Sequence, residues 1–470
     1  MRWKSRVGEF GWPTALALAI ILLLCKSLHA EPWEIPPQIV EGPGGSTFQV
    51  TASNQFRAEF VNWWKAAPPK TSRYAFQGNR FKLGVNATWK WLEVFAEFQH
   101  SLLNDLPRGG PGPGNAYYKN TPETFQQSPI LREAWAHAEY EGFSLKLGRM
   151  TYVGGLQAPV RNPTLDWIVE NRIAQRLMGP FEYTMVGRSF DGGQLQWQNE
   201  HFNVNGFGFL PTQGGYEING NPDIPEINVG GLSLTVRDSP KLPRTTGRVF
   251  YIAYGDDRDI PVFDNRPKPV READVGKPLE IHTVGANVVH VEPLGSGLFD
   301  VMAWGVGQFG SWQGQQQLSW AVAFELGYQL PDVWGSPWVR VGINSSSGDS
   351  DPADDNHESF FQILPTARQY ARTPFYNLMN NTDLFVTWML QPHDRVSTRL
   401  DFHWLRATES ADYAYTGGGA TSPTFFGYGG VPANGHNDLA LLLDISVSVQ
   451  ATKNLKIDIY YGHGFGQDIV

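Results

Sequence analysis

The sequence predicts an all-β protein, a transmembrane antiparallel β-barrel of 17 visible strands with long extracellular loops and short periplasmic turns. Three observations carry this. The first is strict alternation in Gln317–Asp349: Leu318, Trp320, Val322, Phe324, Leu326 and Tyr328 fall at every second position. Ser319, Ala321, Ala323, Glu325, Gly327 and Gln329 lie between them, so one face is continuously apolar and the other small or polar. The second is a regular alternation of long and short connections, which a soluble sandwich has no reason to keep. The third is an exported start followed by no apolar run of ~18 residues, which leaves strands rather than helices to span a membrane.

Each strand candidate rests on the same alternation. Thr47–Trp63 sets Arg57 and Glu59 against Phe56, Ala58 and Phe60. Tyr74–Ala87 sets Arg80 and Lys82 against Phe81, Leu83 and Val85. Trp91–Leu102 sets Glu93 and Glu97 against Leu92, Val94, Ala96 and Phe98. A Gly/Pro-rich loop runs to Pro129, and Leu131–Tyr140 and Phe143–Met150 then form a hairpin about Glu141-Gly142. After the loop Thr151–Pro180 come Glu182–Trp197 and His201–Leu210, and after Pro211–Gly230 come Gly231–Val236 and Arg248–Tyr254. The charged loop Gly255–Pro278 precedes Ile281–Val291 and Leu298–Phe309. Ser311–Gln316 is the one short link where a long one is expected. Leu318–Gln329 and Trp338–Asn344 flank the turn PDVWGSP. Beyond Ser345–Asn380 lie Thr382–Leu390 and Val396–Arg406; beyond Ala407–His436 lie Asp438–Val449 and Leu455–His463. Single-chain bacterial barrels have even strand numbers, so the odd count means that a final strand is missing or an earlier one is unrecognised, and the first is the expectation. The chain ends in Asp468-Ile469-Val470 rather than on an aromatic residue.

Residues 1–30 read as a secretory signal peptide: Arg2, Lys4 and Arg6, the apolar run Ala15–Leu24, then cleavage after Ala30. Leu24 before Cys25 is too large for a lipoprotein signal, so the chain's 1 Cys leaves with the leader, and disulfide or metal-thiolate chemistry is excluded. Residues 31–46 read as a flexible lead-in and 47–470 as the barrel, placed in the outer membrane of a Gram-negative-type cell. The leader holds Arg2, Lys4, Arg6, Lys26 and the acid Glu9. Of the 37 bases and 46 acids the mature chain therefore keeps 33 and 45, a net −12, which gives no support to nucleic-acid binding.

In a barrel of this size the inner face sets selectivity. Face parity assigns Arg57, Arg80, Lys82, Glu93, Glu97, Glu133, His137, Lys146, Arg188, Arg248, Arg340, Asn344, Arg399, Asp401 and His403 to the lumen. Arginine suits a passing carboxylate because its guanidinium can bind both oxygens at once; the plainer reading is that these charges pair across the lumen and hydrate the wall. Asp401 and His403 share a face, but Ser397 is four residues from Asp401 and no oxyanion motif is nearby. No catalytic site is expected, there or at Glu133 and His137. Asp349, Asp351, Asp354 and Asp355 are a weak calcium candidate whose spacing is not that of an EF-hand; a solvated acidic loop fits better.

Two blocks and the chain end resemble the alginate-export family of outer-membrane porins. The first is Leu147-Gly148-Arg149-Met150, Arg161, Asp166-Trp167 and Arg188-Ser189-Phe190-Asp191-Gly192. The second is Ser347-Gly348-Asp349, the acidic stretch Asp351–Asp355 and Ser359-Phe360-Phe361-Gln362-Ile363-Leu364-Pro365. The last is Tyr461-Gly462-His463-Gly464-Phe465-Gly466. In place of the family's His-Lys pair the chain has Ala367-Arg368-Gln369. The resemblance implies an eighteen-stranded barrel, passive passage of a polyuronate, and Arg149, Arg161, Arg188 and Asp191 in or near a constriction. Parity conflicts at Arg149, which shares a face with Leu145 and Leu147. The expected function is thus a passive channel, without a cofactor, for an anionic oligo- or polysaccharide or a small organic anion. Outer-membrane lipid would surround it, with periplasmic export machinery as a further partner. The alternatives are a general diffusion porin and a structural or adhesive barrel.

Overall fold

The computed structural model describes residues 38–42, 45–63, 72–366, 371 and 376–470. The leader, most of the lead-in, most of the first connection and the Ala367-Arg368-Gln369 departure lie outside the described residues. In chain order the strands are β1 (Gln38–Glu41), β2 (Thr47–Asn62), β3 (Arg73–Trp89), β4 (Leu92–Asn104), β5 (Gln126–Tyr140), β6 (Phe143–Met150), β7 (Phe190–Gln198), β8 (Phe202–Pro211), β9 (Ile227–Val236), β10 (Thr245–Asp256) and β11 (Leu279–Leu294). They continue as β12 (Gly297–Trp312), β13 (Gln315–Gln329), β14 (Trp338–Ser346), β15 (Asn356–His357), β16 (Thr382–His393), β17 (Val396–Arg406), β18 (Tyr413–Gly417), β19 (Tyr428–Pro432), β20 (Asp438–Thr452) and β21 (Leu455–Gly466). One 19-stranded sheet holds all but β18 and β19, which form a hairpin of their own. Each long strand is antiparallel to the next, with β14 meeting β16 and β17 meeting β20 across long connections. No helix among the described residues is long and apolar enough to cross a membrane.

On β13 and β17 the burial pattern is that of a protein turned inside out. On β10 to β12, by contrast, apolar residues such as Phe250, Ile252, Met302 and Trp304 are buried in one core with Leu165, Ile168 and Met178. Along β13, Leu318, Trp320, Val322 and Phe324 are exposed while Gln317, Ser319, Ala321, Ala323 and Glu325 are buried. The same holds in β17, where Leu400, Phe402 and Trp404 face out and Asp401 and His403 are buried. An apolar band of this size on the outside is stable against lipid and costly in water. Val322 stands mid-strand at 43% exposure. Val322→Arg is expected to cost about 2–4 kcal/mol, the depth-dependent penalty for a cation on a lipid face. A urea titration in lipid vesicles checks it; an unchanged midpoint would mean that this face does not meet lipid.

The seventeen expected strands are all present, with three corrections. The strand expected over Glu182–Trp197 starts only at Phe190, because positive φ at Phe181 and Gly187 breaks the chain away from the wall. The strand expected from Leu131 starts at Gln126, where Gln126–Ile130 continues the ladder with β4. The lead-in contains β1, whose β-branched Ile39 and Val40 pair with β2 in the register Gln38↔Val50 to Glu41↔Thr47. Among the described residues β1 pairs with β2 and β21 pairs with β20, and no pairing joins β1 to β21.

Candidate functional site

The lumen is occupied on one side by the connection between β6 and β7, which turns inward. Two contacts show its depth. The Asn162 N–H donates to Asp238 Oδ2 at 3.2 Å and the Thr164 hydroxyl to Gln329 Oε1 at 3.2 Å. Asp238 and Gln329 both lie beside short turns, so the segment descends to the end opposite the long connections. There it forms a short helix, Pro163–Ile168, whose first turn is capped by Asn162 Oδ1 accepting from Leu165 N at 2.9 Å. A wider turn follows at Val169–Ile173, and the chain climbs again past Arg172 and Arg176.

Those two arginines fasten the segment to the wall. Arg172 Nε donates to both oxygens of Glu325 at 2.8 Å, and Arg176 Nη2 lies 3.6 Å from the same carboxylate. Arg340 of β14 donates to Glu325 at 3.0 Å and pairs with Asp300 of β12, which also accepts from Trp338 Nε1 at 2.8 Å. Arg176 continues the network to Asn344 at 2.9 Å, and Asn344 reaches Tyr376 and Asp383 at 3.2 and 3.3 Å. Asp383 takes His403 at 3.0 Å, while Asp401 takes Thr387 at 2.6 Å and Arg399 at 2.7 Å. Glu325, Asp300, Asp383 and Arg340 are at most 1% exposed. Charges so deeply buried survive because opposite charges and donors surround each one.

The β2–β5 wall stays open to water. Arg57 pairs with Glu59 at 2.9 Å and donates to the Tyr183 carbonyl at 2.6 Å. Arg80 donates to Gln55 at 2.6 Å and Lys82 lies 3.1 Å from Glu97. Glu182, on the inward segment, meets Lys82 and Arg132, each at 3.3 Å. Burial would raise its carboxyl, but Arg132, Lys82 and Arg80 together hold it down at about 2, so this anchor stays charged. Glu93 accepts from Asn86 at 2.7 Å and lies 3.6 Å from His137. Glu133 accepts from Trp135 at 2.9 Å, and Lys146 sits 3.7 Å over that indole. Side-chain exposures of 23% for Arg57, 33% for Glu93 and 27% for His137 mark the wall that faces the remaining lumen.

Of the residues assigned to the lumen, Arg57, Arg80, Lys82, Glu93, Glu97, Glu133, His137, Lys146, Arg248, Arg340, Asn344, Arg399, Asp401 and His403 stand on the inner face. Arg188 is placed differently: it lies on the inward segment rather than a strand, donates to the carbonyls of Gly418 and Ala420 at 3.0 and 2.9 Å, and is 1% exposed. Arg161 is exposed beside Asn162 on the descending limb. Arg149 and Asp191 are a correction to the constriction placement. They are cross-strand partners, and they pair further with Ala134 and Leu210, on the outward side. Their bidentate contact, at 2.8 and 2.6 Å, is joined by Asp223 at 3.0 Å. Gly148 and Gly192 beside them both have positive φ, and a Cβ at either would strike a neighbouring strand's carbonyl. The motif glycines thus bring the four strands β5 to β8 close and set an outer-face ion pair.

The expected solvated acidic loop holds for Asp351, Asp354 and Asp355, which are exposed, and is corrected at Asp349, which is fully buried. Asp349, Asp351 and Asp354 accept from the N–H groups of Asp351, Ala353 and Asn356 as local turns. Among the described residues, neither these with Asp355 nor any other acid or imidazole group is set to hold a metal. Sequence reasoning missed Glu325, Asp300, Asp383, Arg132, Arg172, Arg176 and Glu182 as site residues. The three strand acids were visible as polar residues on inner-face parity, whereas the other four depend on a strand bulge or on the path of the inward segment.

Above the wall, two long connections meet at a buried acid pair. Asp349 N–H donates to Asp412 Oδ2 at 3.1 Å, and the Tyr415 hydroxyl to Asp412 Oδ1 at 2.7 Å. Burial pushes Asp349 up to about 7 and Asp412 up to about 6, and Asp354 and Glu358 facing Asp349 add to the rise. Both carboxyls are raised above their unfolded value, so their stabilising contribution is complete below about 4 and is lost as pH rises through 6 to 7. Hydrogen exchange, corrected for intrinsic rate, is therefore expected to speed up in both connections between pH 5.5 and 8. Asp412→Asn should flatten that response; equal protection at both pH values would contradict it. The β18–β19 hairpin helps to line a cleft of about 890 Å³, with Trp63, Lys119, Tyr216, Glu217, Phe425 and Tyr428 in its lining.

Residues 126–466 match the alginate-export family. Among solved structures, OpdK of Pseudomonas aeruginosa superposes with a TM-score of 0.55 at 9% identity, over 89% of this chain and 93% of that one. The same protein with vanillate gives 0.53 at 10% identity and the same coverage. A BenF-like porin from Pseudomonas fluorescens Pf-5 gives 0.55 at 11% identity, over 90% and 94%. At such identities the likeness is one of fold. No curated protein sequence matches the chain.

Proposed function

Since the chain belongs to the alginate-export family and forms an outer-membrane β-barrel channel, we propose that it passes carboxylate-bearing organic anions, an oligouronate among them, down their gradient. One observation carries the reading. Where the inward segment meets the water-facing wall, the bases Arg57, Arg80, Lys82 and Arg132 gather round the acids Glu59, Glu97 and Glu182, leaving one positive charge over. Arg80 and Lys82 are two residues apart on β3, ~6.6 Å, and Arg57 is on the adjacent strand. A carboxylate leaving water there meets donors already held in position by fixed partners. OpdK, which shares the fold, has been solved with the organic anion vanillate. The leader Met1–Ala30 would direct the chain to the membrane and be removed there.

The close pairing of Arg57, Lys82 and Arg399 with carboxylates favours a second reading, a general diffusion porin whose wall charges only bind water. The reversal potential of the refolded protein in a planar bilayer under a KCl gradient separates the two. Anion selectivity with current block by uronate oligomers is expected. Cation selectivity without block would reduce the basic residues to wall structure.

A further inference from the structure

Behind the inward segment, away from the water-facing wall, lies a small niche of about 20 Å³, room for one water-sized occupant. Arg248 and Asn287 of the barrel form its back; they are direct cross-strand partners on β10 and β11. Tyr152, Arg176 and Met178 of the inward segment close its front, and Trp304 forms one side. Arg248 Nε and Asn287 Nδ2 are buried without a hydrogen bond of good geometry, and the Tyr152 hydroxyl, in the same condition, lies against Arg248. Both nitrogens are donors. No carboxylate lines the niche, and among the described residues Arg248 has no acidic partner. Arg176 leans over Trp304 at 5.1 Å and its Nη2 lies 3.6 Å from Glu325, which is not part of the lining.

A buried guanidinium and amide aimed at one small space, with no negative charge to balance them, is a costly arrangement when empty. A water there could use a neutral acceptor such as the Tyr152 oxygen, but it would leave the guanidinium charge unbalanced. A monatomic anion satisfies both donors and the local positive charge together. We propose that the niche is a halide site holding one chloride, which ties the inward segment to the barrel wall. It is too small for a sugar acid, so it is separate from the conducted solute. It would stand even if the channel proved unselective.

The test uses the full chain. Crystals grown or soaked in bromide are expected to show an anomalous peak between Arg248 and Asn287. Replacing gluconate by chloride at constant ionic strength is expected to raise the unfolding temperature, since a ligand bound only to the folded state shifts that equilibrium. Arg248→Gln should remove both responses. A wild-type protein with no bromide peak and no chloride dependence would overturn the assignment and leave a single water in the niche. The wild-type diffraction result decides the matter even if the variant does not fold.

Discussion

Glu325→Gln is expected to destabilise the barrel by about 3–5 kcal/mol, the range for breaking a buried ion pair, and to raise the single-channel conductance. Glu325 is fully buried and receives Arg172 from the inward segment and Arg340 from the wall, with Arg176 at the edge of reach. Glutamine keeps the volume but removes the charge that holds three guanidiniums together. Arg340 retains Asp300. Arg172 and Arg176 lose the carboxylate that fastens the climbing limb, so the segment can leave the wall and widen the path. Urea titration in vesicles reads the first effect and single-channel recording the second. If stability falls but conductance and its noise are unchanged, the inward segment is held elsewhere and does not limit conduction.

The sequence already contained half of this device. Period two on Leu318–Tyr328 puts Glu325 among small inner-face residues, and β13 shows that alternation residue by residue. Its partners were not legible. Arg172 and Arg176 lie in a connection with no strand period, and only the folded path past Asp238 and Gln329 brings them to Glu325. Arg188 departs from its expected strand face for a related reason: the apparent alternation over Glu182–Phe190 is interrupted at Gly187, φ 75°, and the strand starts beyond it. At Arg149 parity and family resemblance disagreed. The outward placement follows parity, because pairing with Ala134 and Asp191 keeps Arg149 on the face of Leu147. Strand faces are local properties and can be read from sequence. Loop paths depend on contacts between residues more than a hundred positions apart, and no local pattern records them.

That same distinction sets the sharpest test of the lumen. Arg57, Arg80 and Lys82 changed together to glutamine should reverse the sign of the reversal potential, from anion- to cation-selective. Glu59, Glu97 and Glu182 would remain, with Arg132 alone among the four bases. A unit charge about 7 Å from a passing ion in a water-like medium contributes about 0.6 kcal/mol, so three amount to about tenfold in ion partitioning after partial screening. The measurement belongs at low salt, where the Debye length of about 10 Å at 0.1 M still spans the narrowed lumen. Arg149→Gln is the matching control: it also removes one positive charge, but from the outer face beside Asp191 and Asp223. Its selectivity should equal that of the wild type. If Arg149→Gln alone moved the reversal potential as far as the triple change, the arginine would have to face the lumen, and the strand register at Gly148 and Gly192 would be wrong. If neither moved it, the wall charges would be structural, and selectivity would have to arise along the inward segment itself, where Arg161 is exposed on the descending limb.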